Sequence, residues 1–305
     1  MNSPSDMHGS AGRSVSRTGP ATMPVGGHLR TWRERRRLSQ LELAGAADIS
    51  ARHMSFLETG RSVPSRAMLL RLAERLEIPL RERNALLLSA GYAPMYAERR
   101  LDDPALEQAR KAVHLVIEGH RPYPALAIDR HWTLVASNSM LGVFLAGIDP
   151  KLLQPPVNVL RLGLHPQGVA SKVVNYVQWR AHTLMRLRQQ IAATADPILM
   201  ELLAELESYP QITSSDPEAN HDDGIDYGGV VVPFRLRTDY GVLSFFGTTT
   251  VFGTPLDVTL AELAIESFFP ADPQTAETLA RVAREMAMAG APAMPERDPM
   301  AVLAG

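Results

Sequence analysis

Two short helical patterns joined by a tight turn, within residues 40–57, constrain the fold more than any other feature of the sequence. Their apolar positions can form one internal contact between the helices: Leu43, Ala44, Ala47, Ile49, Met54 and Leu57. Ala44 must be small, because the second helix crosses closely above it. Asp48 lies where such a turn needs a left-handed backbone, which Asp tolerates better than most residues. The pattern predicts a helix-turn-helix.

The flanking sequence extends this motif into a compact all-α domain of five helices over residues 28–92. Ser39 is the predicted N-cap of the second helix, Ser50 begins the third, and the fourth is predicted to start near Ser65 after Pro64. Glu42 would complete a capping box with Ser39. The fifth helix is predicted at residues 80–90, before a break at residues 91–94. Residues 1–27 lack an apolar period and are expected to form a disordered tail, and residues 93–103 a linker.

The distribution of charge separates this domain from the rest of the chain. Residues 28–90 contain 12 arginines, no lysine and 7 acidic residues, a net charge of +5. The remainder carries 19 basic and 26 acidic residues, a net charge of −7. Such asymmetry is typical of a nucleic-acid-binding domain attached to a second domain.

A helix-turn-helix places its second helix, here Ala51–Glu58, in the major groove of double-stranded DNA. Arg52 is then suited to a bidentate contact with guanine, and Ala51 and Phe56 to apolar contact with a thymine methyl group. Three further residues are expected at phosphates: Gln40, Ser50 and Arg61. Their alternative interpretations are a helix N-terminal residue, a plain N-cap and a solvated arginine.

The run at residues 30–40, together with residues 56–61 and Pro64-Ser65, resembles the Xre family of repressor-like helix-turn-helix domains. The resemblance covers the whole predicted domain. In that family an arginine of the first helix pairs with the glutamate that ends the recognition helix. The resemblance implies that Arg33 and Glu58 form this pair here, in a structural role.

The second half of the sequence alternates between helical and strand patterns. Helices are predicted at residues 104–118, 169–191, 198–206 and 275–288, and their apolar faces, Val177 and Ile198 included, are expected in the core. Strands are predicted at residues 125–129, 133–138, 230–237 and 242–252, the last two as an antiparallel hairpin. Residues 258–269 fit either period, and we favour a strand, because a hairpin needs further strands to be stable. An α+β domain with an antiparallel sheet is therefore expected over residues 104–289, followed by a disordered tail at 290–305.

Residues 82–84 with 90–94 resemble the subgroup of Xre regulators that carries an MmyB-like ligand-binding domain. Several runs of the second half resemble that domain itself: residues 122–126 with 129–130, 158–161 with 165–166, and 256–259 with 268–272. The resemblance implies a PAS-like sensor: an antiparallel sheet and helices around an apolar pocket that accepts a fatty-acyl or similar hydrophobic molecule. Candidates for the pocket wall are Trp132, Tyr176 and Trp179, with ordinary core packing as the alternative.

The sequence provides little support for cysteine chemistry, metal binding, catalysis or membrane insertion. The absence of cysteine excludes disulfides, thiolate metal sites and cysteine nucleophiles. Asp222, Asp223 and Asp226 lack the ligand order of an EF-hand, and the histidines lack metal-ligand spacing: His114, His120, His131, His165 and His182. We find no catalytic motif, so we expect no enzyme activity, metal or catalytic cofactor. No apolar stretch reaches the ~20 residues that cross a bilayer, and we expect a cytoplasmic protein.

The leading hypothesis is a sequence-specific transcription regulator that responds to a small hydrophobic effector. A homodimer would match a palindromic operator. Two alternatives remain open: an enzyme domain fused to the DNA-binding module, and a C-terminal domain that serves only dimerisation or protein interaction.

Overall fold

The computed structural model describes residues 23–212, 232–253 and 257–288. The chain forms two compact units that divide close to residue 95. The expected fold class is confirmed: five helices in the N-terminal unit, and an α+β C-terminal unit with an antiparallel sheet.

The N-terminal unit consists of α1 (Val25–Arg35), α2 (Gln40–Ala46), α3 (Ala51–Glu58), α4 (Arg66–Arg75) and α5 (Leu80–Ser89). Its core contains the apolar residues predicted to join the two helices of the motif, with Leu43, Ala44, Ala47, Met54 and Leu57 all buried. Ile49 packs partly buried against the same core.

The predicted starts of α2, α3 and α4 are confirmed. Ser39, Ser50 and Ser65 each accept a backbone N–H bond as N-cap, at distances of 3.1, 3.1 and 3.2 Å. The Ser39 N–H donates to the Glu42 carboxylate at 2.7 Å, and this bond completes the capping box. These caps satisfy donors that the first helical turn leaves free, which explains why three such short helices begin at defined residues.

The first helix starts earlier than the sequence suggested. Residues 25–27 were assigned to the disordered tail, but α1 already begins at Val25. Gly26 is buried against α3, where a Cβ would lie 2.5 Å from the carbonyl oxygens of Leu57 and Glu58. Two glycines in succession concealed the helix, because glycine is a poor helix former. Here it is required by the close approach of two backbones.

The C-terminal unit is built around a five-stranded antiparallel sheet in the order β2-β1-β5-β4-β3. Its strands are β1 (Ala125–Ile128), β2 (Leu134–Ser137), β3 (Phe234–Thr238), β4 (Gly241–Val251) and β5 (Ala264–Pro270). Its helices are α6 (Glu107–Gly119), α7 (Gly142–Leu145), α8 (Val159–Leu164), α9 (Tyr176–Thr194), α10 (Pro197–Ser208), α11 (Val258–Ala261) and α12 (Pro273–Met288). The β1–β2 and β3–β4 pairs confirm both predicted strand pairs.

The prediction of one strand over residues 258–269 was wrong in its first part. Asp257 accepts a bond of 2.9 Å from the Thr259 N–H and caps the short helix α11, so that the strand begins only at Ala264. The resulting strand lies at the centre of the sheet, between β1 and β4. An apolar run that satisfies both periods cannot show where one structure replaces the other.

Two apolar residues expected in the core are exposed: Val177 in α9 and Ile198 in α10. The predicted helical pattern also began too early, because residues 169–172 form a 3₁₀ turn and α9 starts only at Tyr176. The 3₁₀ turn separates Val169 from the residues of α9. Val177 lies in the first turn of α9 and Ile198 in the first turn of α10, and both side chains are exposed there.

Candidate DNA-contact surface and ligand cavity

The turn between α2 and α3 adopts the geometry expected of the motif. Asp48 has a φ of 55°, in the left-handed region, as predicted. The Ile49 N–H donates to the carbonyl of Ala44 at 3.0 Å and closes the turn. The chain therefore reverses tightly, and Ala44 of α2 is buried in the same core cluster as Met54 and Leu57 of α3.

The Phe56 ring of α3 lies beside two cations, Arg52 of the same helix and Arg61, which follows its end. The guanidinium groups of Arg52 and Arg61 lie 5.3 and 5.9 Å from the centre of the Phe56 ring. Both arginines are exposed, whereas Phe56 and Ala51 are half-buried. The structure thus brings together two residues predicted to read bases and one predicted to bind phosphate. Phe56 also supports both cations, a role that the sequence did not suggest.

Arg33 and Glu58 form the ion pair that the resemblance implied. The Arg33 Nε and Nη2 atoms donate to Glu58 at 2.6 and 2.9 Å, and its Nη1 donates to the Leu38 carbonyl at 2.8 Å. The Glu58 side chain is only 2% exposed. Such bidentate geometry ties α1 to the end of α3.

Gln40, at the first position of α2, is half-buried next to this ion pair. Its amide nitrogen donates to the Glu58 Oε2 at 2.8 Å. One amide hydrogen is therefore held internally, which fixes the side chain beside the recognition helix. The side-chain oxygen of Ser50, at the start of α3, caps its own helix.

A cavity of about 590 Å³ lies in the C-terminal unit. Helices α7, α8 and α9 supply part of its wall, and each of the five strands of the sheet supplies at least one lining residue. Its apolar lining includes Leu126, Leu141, Phe144, Leu160, Val169 and Phe268. Edge-to-face aromatic contacts stabilise this wall. The centre of the Phe144 ring lies 5.4 Å from that of Phe234 and 5.0 Å from that of Phe268.

Of the three aromatic residues proposed for the pocket wall, Trp132 and Trp179 line the cavity. Tyr176 is not among the lining residues. It is 2% exposed and its hydroxyl lies 3.4 Å from the Leu164 carbonyl, and burial raises the pKa of that hydroxyl. Tyr176 therefore belongs to the ordinary core, which was the alternative interpretation.

Trp132 is held in an unusual backbone conformation at the connection between β1 and β2. Its φ is 66°, a left-handed value that is uncommon for a bulky residue. The indole nitrogen donates to the Gln190 Oε1 at 2.7 Å, and the Trp132 carbonyl accepts from the Val159 N–H at 2.9 Å. These bonds fix the ring against α9 at one end of the cavity.

That end of the cavity is polar, and sequence reasoning missed it. Arg186 donates to the Glu266 carboxylate at 2.7 and 3.3 Å, and both residues line the cavity. The signal was a glutamate within the apolar strand β5, two residues from Phe268, because alternate residues of a strand share a face. Arg186 lies one helical turn from His182 on α9, but its pairing across 80 residues is a tertiary contact that the sequence does not display.

Within residues 23–212, 232–253 and 257–288, no group of His, Asp and Glu is arranged to hold a metal ion. Asp222, Asp223 and Asp226 lie outside the described residues. None of the helices in the described part of the chain is long and apolar enough to span a membrane.

Comparison with protein families matches both units. Residues 24–86 match a helix-turn-helix domain, and residues 109–282 match the MmyB-like transcription regulator ligand binding domain. Comparison with curated proteins gives no match. Because the second match covers more than half of the chain and the first supplies the DNA-binding motif, the protein is a DNA-binding transcription regulator and belongs to the family with an MmyB-like ligand-binding domain.

Proposed function

We propose that a small, largely apolar effector binds the cavity of the C-terminal unit and changes the affinity of the protein for its operator. The cavity is the observation that carries this proposal. Its volume of about 590 Å³ falls within the range of about 300–1,000 Å³ that is usual for small-molecule sites. Its lining is mostly aliphatic and aromatic, with a few polar groups at one end, which is also usual for such sites.

The apolar wall indicates what kind of molecule gains most from binding. Fatty-acyl compounds are candidates, because burial of each methylene group contributes about 0.8 kcal/mol. An effector regulates DNA binding only if its affinity differs between two conformations of the protein. The ligand and the operator then influence each other reciprocally.

On the DNA side, we propose that Arg52 reads guanine, with Ala51 and Phe56 at its flanks, and that Gln40, Ser50 and Arg61 hold phosphates. The exposed cations above Phe56 support this assignment, since arginine is the side chain best suited to bidentate contact with guanine. We further propose a homodimer, whose two-fold symmetry would match a palindromic operator.

Native mass spectrometry of the purified protein, followed by denaturing extraction, tests the ligand proposal and the assembly together. We expect a dimer that carries a stoichiometric apolar molecule. An empty protein that also binds no acyl compound in a ligand screen would contradict effector binding and would leave DNA binding unaffected.

A cavity-filling variant sharpens this test. Gly142 lines the cavity, and a Cβ added there meets no atom within 4 Å, so Gly142→Leu should occupy ligand space without a clash. Gly119 is the matched control, because its Cβ would also meet nothing and it does not line the cavity. We expect loss of the bound molecule in Gly142→Leu, retention in Gly119→Leu, and unchanged thermal unfolding of the empty proteins. Equal occupancy in both variants would place the ligand elsewhere.

A further inference from the structure

The polar end of the cavity is a closed ion pair. The Nη2 of Arg186 lies 2.7 Å from the Glu266 Oε1, and its Nη1 lies 3.3 Å from the Oε2. Thr249, the cross-strand partner of Glu266, accepts from the same Nη2 at 2.9 Å and donates to the Oε1 at 2.8 Å. We refer to Arg186, Glu266 and Thr249 as the polar cluster.

The polar cluster is also fixed in place. The Arg186 guanidinium lies 5.2 Å from the centre of the Trp132 ring, whose indole nitrogen is itself bonded to Gln190. The Glu266 side chain is only 7% exposed, whereas that of Arg186 is 34% exposed. Arg186 thus lies between an aromatic ring and a carboxylate that neutralises its charge.

The charges that face the cavity cancel. Among the described lining residues, Arg186 and Glu266 are the two with a formal charge at neutral pH. His182 is the remaining titratable group of the lining, and burial, followed by the nearby charge of Arg186, lowers its pKa. This lowered pKa favours the neutral imidazole, which can accept or donate a hydrogen bond.

We infer that the cavity selects an apolar molecule with an uncharged hydrogen-bonding head group, such as a hydroxyl, amide or ester, over the carboxylate or amine of the same chain length. This inference rests on the proposed function of the cavity as an effector site. The inference is about which head group the ligand carries, whereas the apolar wall of the cavity determines the binding of the ligand's alkyl chain.

The physical reason is the cost of removing a charge from water. A ligand carboxylate at the polar cluster would meet Arg186 already neutralised by Glu266, and would face the Glu266 carboxylate itself. A ligand ammonium group would meet Glu266 already neutralised by Arg186, and would face the Arg186 guanidinium itself. Neither charge finds a net opposite charge to offset its desolvation, which costs several kcal/mol per buried ion. A hydroxyl or amide needs only a donor and an acceptor, which the cluster and His182 provide.

The test compares decanol, decanoate and decylamine in competition with a fluorescent apolar probe on the full chain at neutral pH. The three molecules share one alkyl chain and differ in the charge of the head group. We expect decanol to compete on the order of tenfold more tightly than either charged analogue, because of the desolvation cost of the charge. Tighter binding of decanoate than of decanol would overturn the inference.

Two variants that each remove one charge give the inference a second, charge-dependent signature. Glu266→Gln leaves Arg186 without its counter-charge, so decanoate should gain at least about tenfold relative to decanol. Arg186→Gln leaves Glu266 uncompensated, so decylamine should gain instead. The matched control is Glu205→Gln, which breaks a bidentate pair with Arg161 outside the cavity lining and should preserve the wild-type order.

The outcomes separate this inference from the proposed function. If no alkyl compound displaces the probe from the wild-type protein, the effector site itself is refuted. If all three displace it with equal strength, or if Glu266→Gln does not alter the order, the cavity binds alkyl chains without reading the head group, and only the inference fails. The wild-type comparison stands even if one variant does not fold.

Discussion

Arg52 is the residue on which sequence preference should depend most. Its guanidinium lies above the Phe56 ring and remains exposed at the start of α3, so it is oriented before DNA arrives. We expect Arg52→Ala to reduce discrimination at one base position by about 1–3 kcal/mol. Gln40→Ala should instead weaken binding to all sequences alike, since a phosphate contact carries no sequence information. Competition binding on a library of operator variants distinguishes the two effects, and the reverse pattern would reassign the roles.

Arg33 tests the energetic weight of a buried charge. Arg33→Ala leaves the Glu58 carboxylate, 2% exposed, with Gln40 as its remaining side-chain partner. We expect a loss of about 3–5 kcal/mol in the free energy of unfolding, because an uncompensated charge remains buried. The Arg30–Glu34 pair on the same helix is exposed at both side chains, so Arg30→Ala serves as the control and should have little effect. Urea denaturation measures both, and similar losses would show that the Arg33–Glu58 pair is not special.

At the scale of the helix, Ser50 combines a cap with a proposed phosphate contact. Ser65 makes the same cap bond at the start of α4 and has no assigned role in DNA binding. We expect Ser50→Ala and Ser65→Ala each to cost about 1 kcal/mol of stability. Only Ser50→Ala should also lower operator affinity when measured well below the unfolding temperature. Equal affinities of the two variants would leave Ser50 as a plain N-cap.

Helix α1 approaches α3 through Gly26, and this contact is open to a direct test. A Cβ at Gly26 would lie 2.5 Å from two carbonyl oxygens of α3, whereas at Gly27 it would meet only the flexible Met23 side chain at 3.0 Å. We expect Gly26→Ala to destabilise the unit by about 1–3 kcal/mol through overpacking. Gly27→Ala should be neutral or slightly stabilising, because alanine favours the helix. Thermal unfolding of both variants checks this, and a stabilised Gly26→Ala would contradict the close packing.

The elements that sequence predicted best are those with a local cause. Capped helices such as the one that begins after Ser39, and the hairpin turn before Gly241, need only residues that are neighbours in the chain. The prediction of one strand over residues 258–269 was wrong because the start of β5 depends on pairing with the distant strands β1 and β4. The start of α1 was mispredicted because the glycine at position 26 is required by a contact with another helix, α3. The polar cluster was also not predicted, because it joins residues of α9 and β5 that are distant in the sequence.

For the whole molecule, the assembly on DNA is the main expectation that remains to be tested. A homodimer on a palindromic operator should protect two half-sites whose centres lie about 34–36 Å apart on one face of the duplex. Hydroxyl-radical footprinting measures this spacing directly. A single unrepeated half-site would contradict the dimer and would favour binding as a monomer.

The central position of β5 has a consequence for how the protein is made. The sheet cannot be completed until residues 264–270 have left the ribosome, because β5 pairs with both β1 and β4. The five helices of the N-terminal unit have all been synthesised by residue 89. Domains near the N-terminus generally fold first during synthesis. A chain that is terminated before β5 would therefore carry a complete DNA-binding unit without a complete sheet in the C-terminal unit, so that under the proposed function a late nonsense mutation should free DNA binding from the effector.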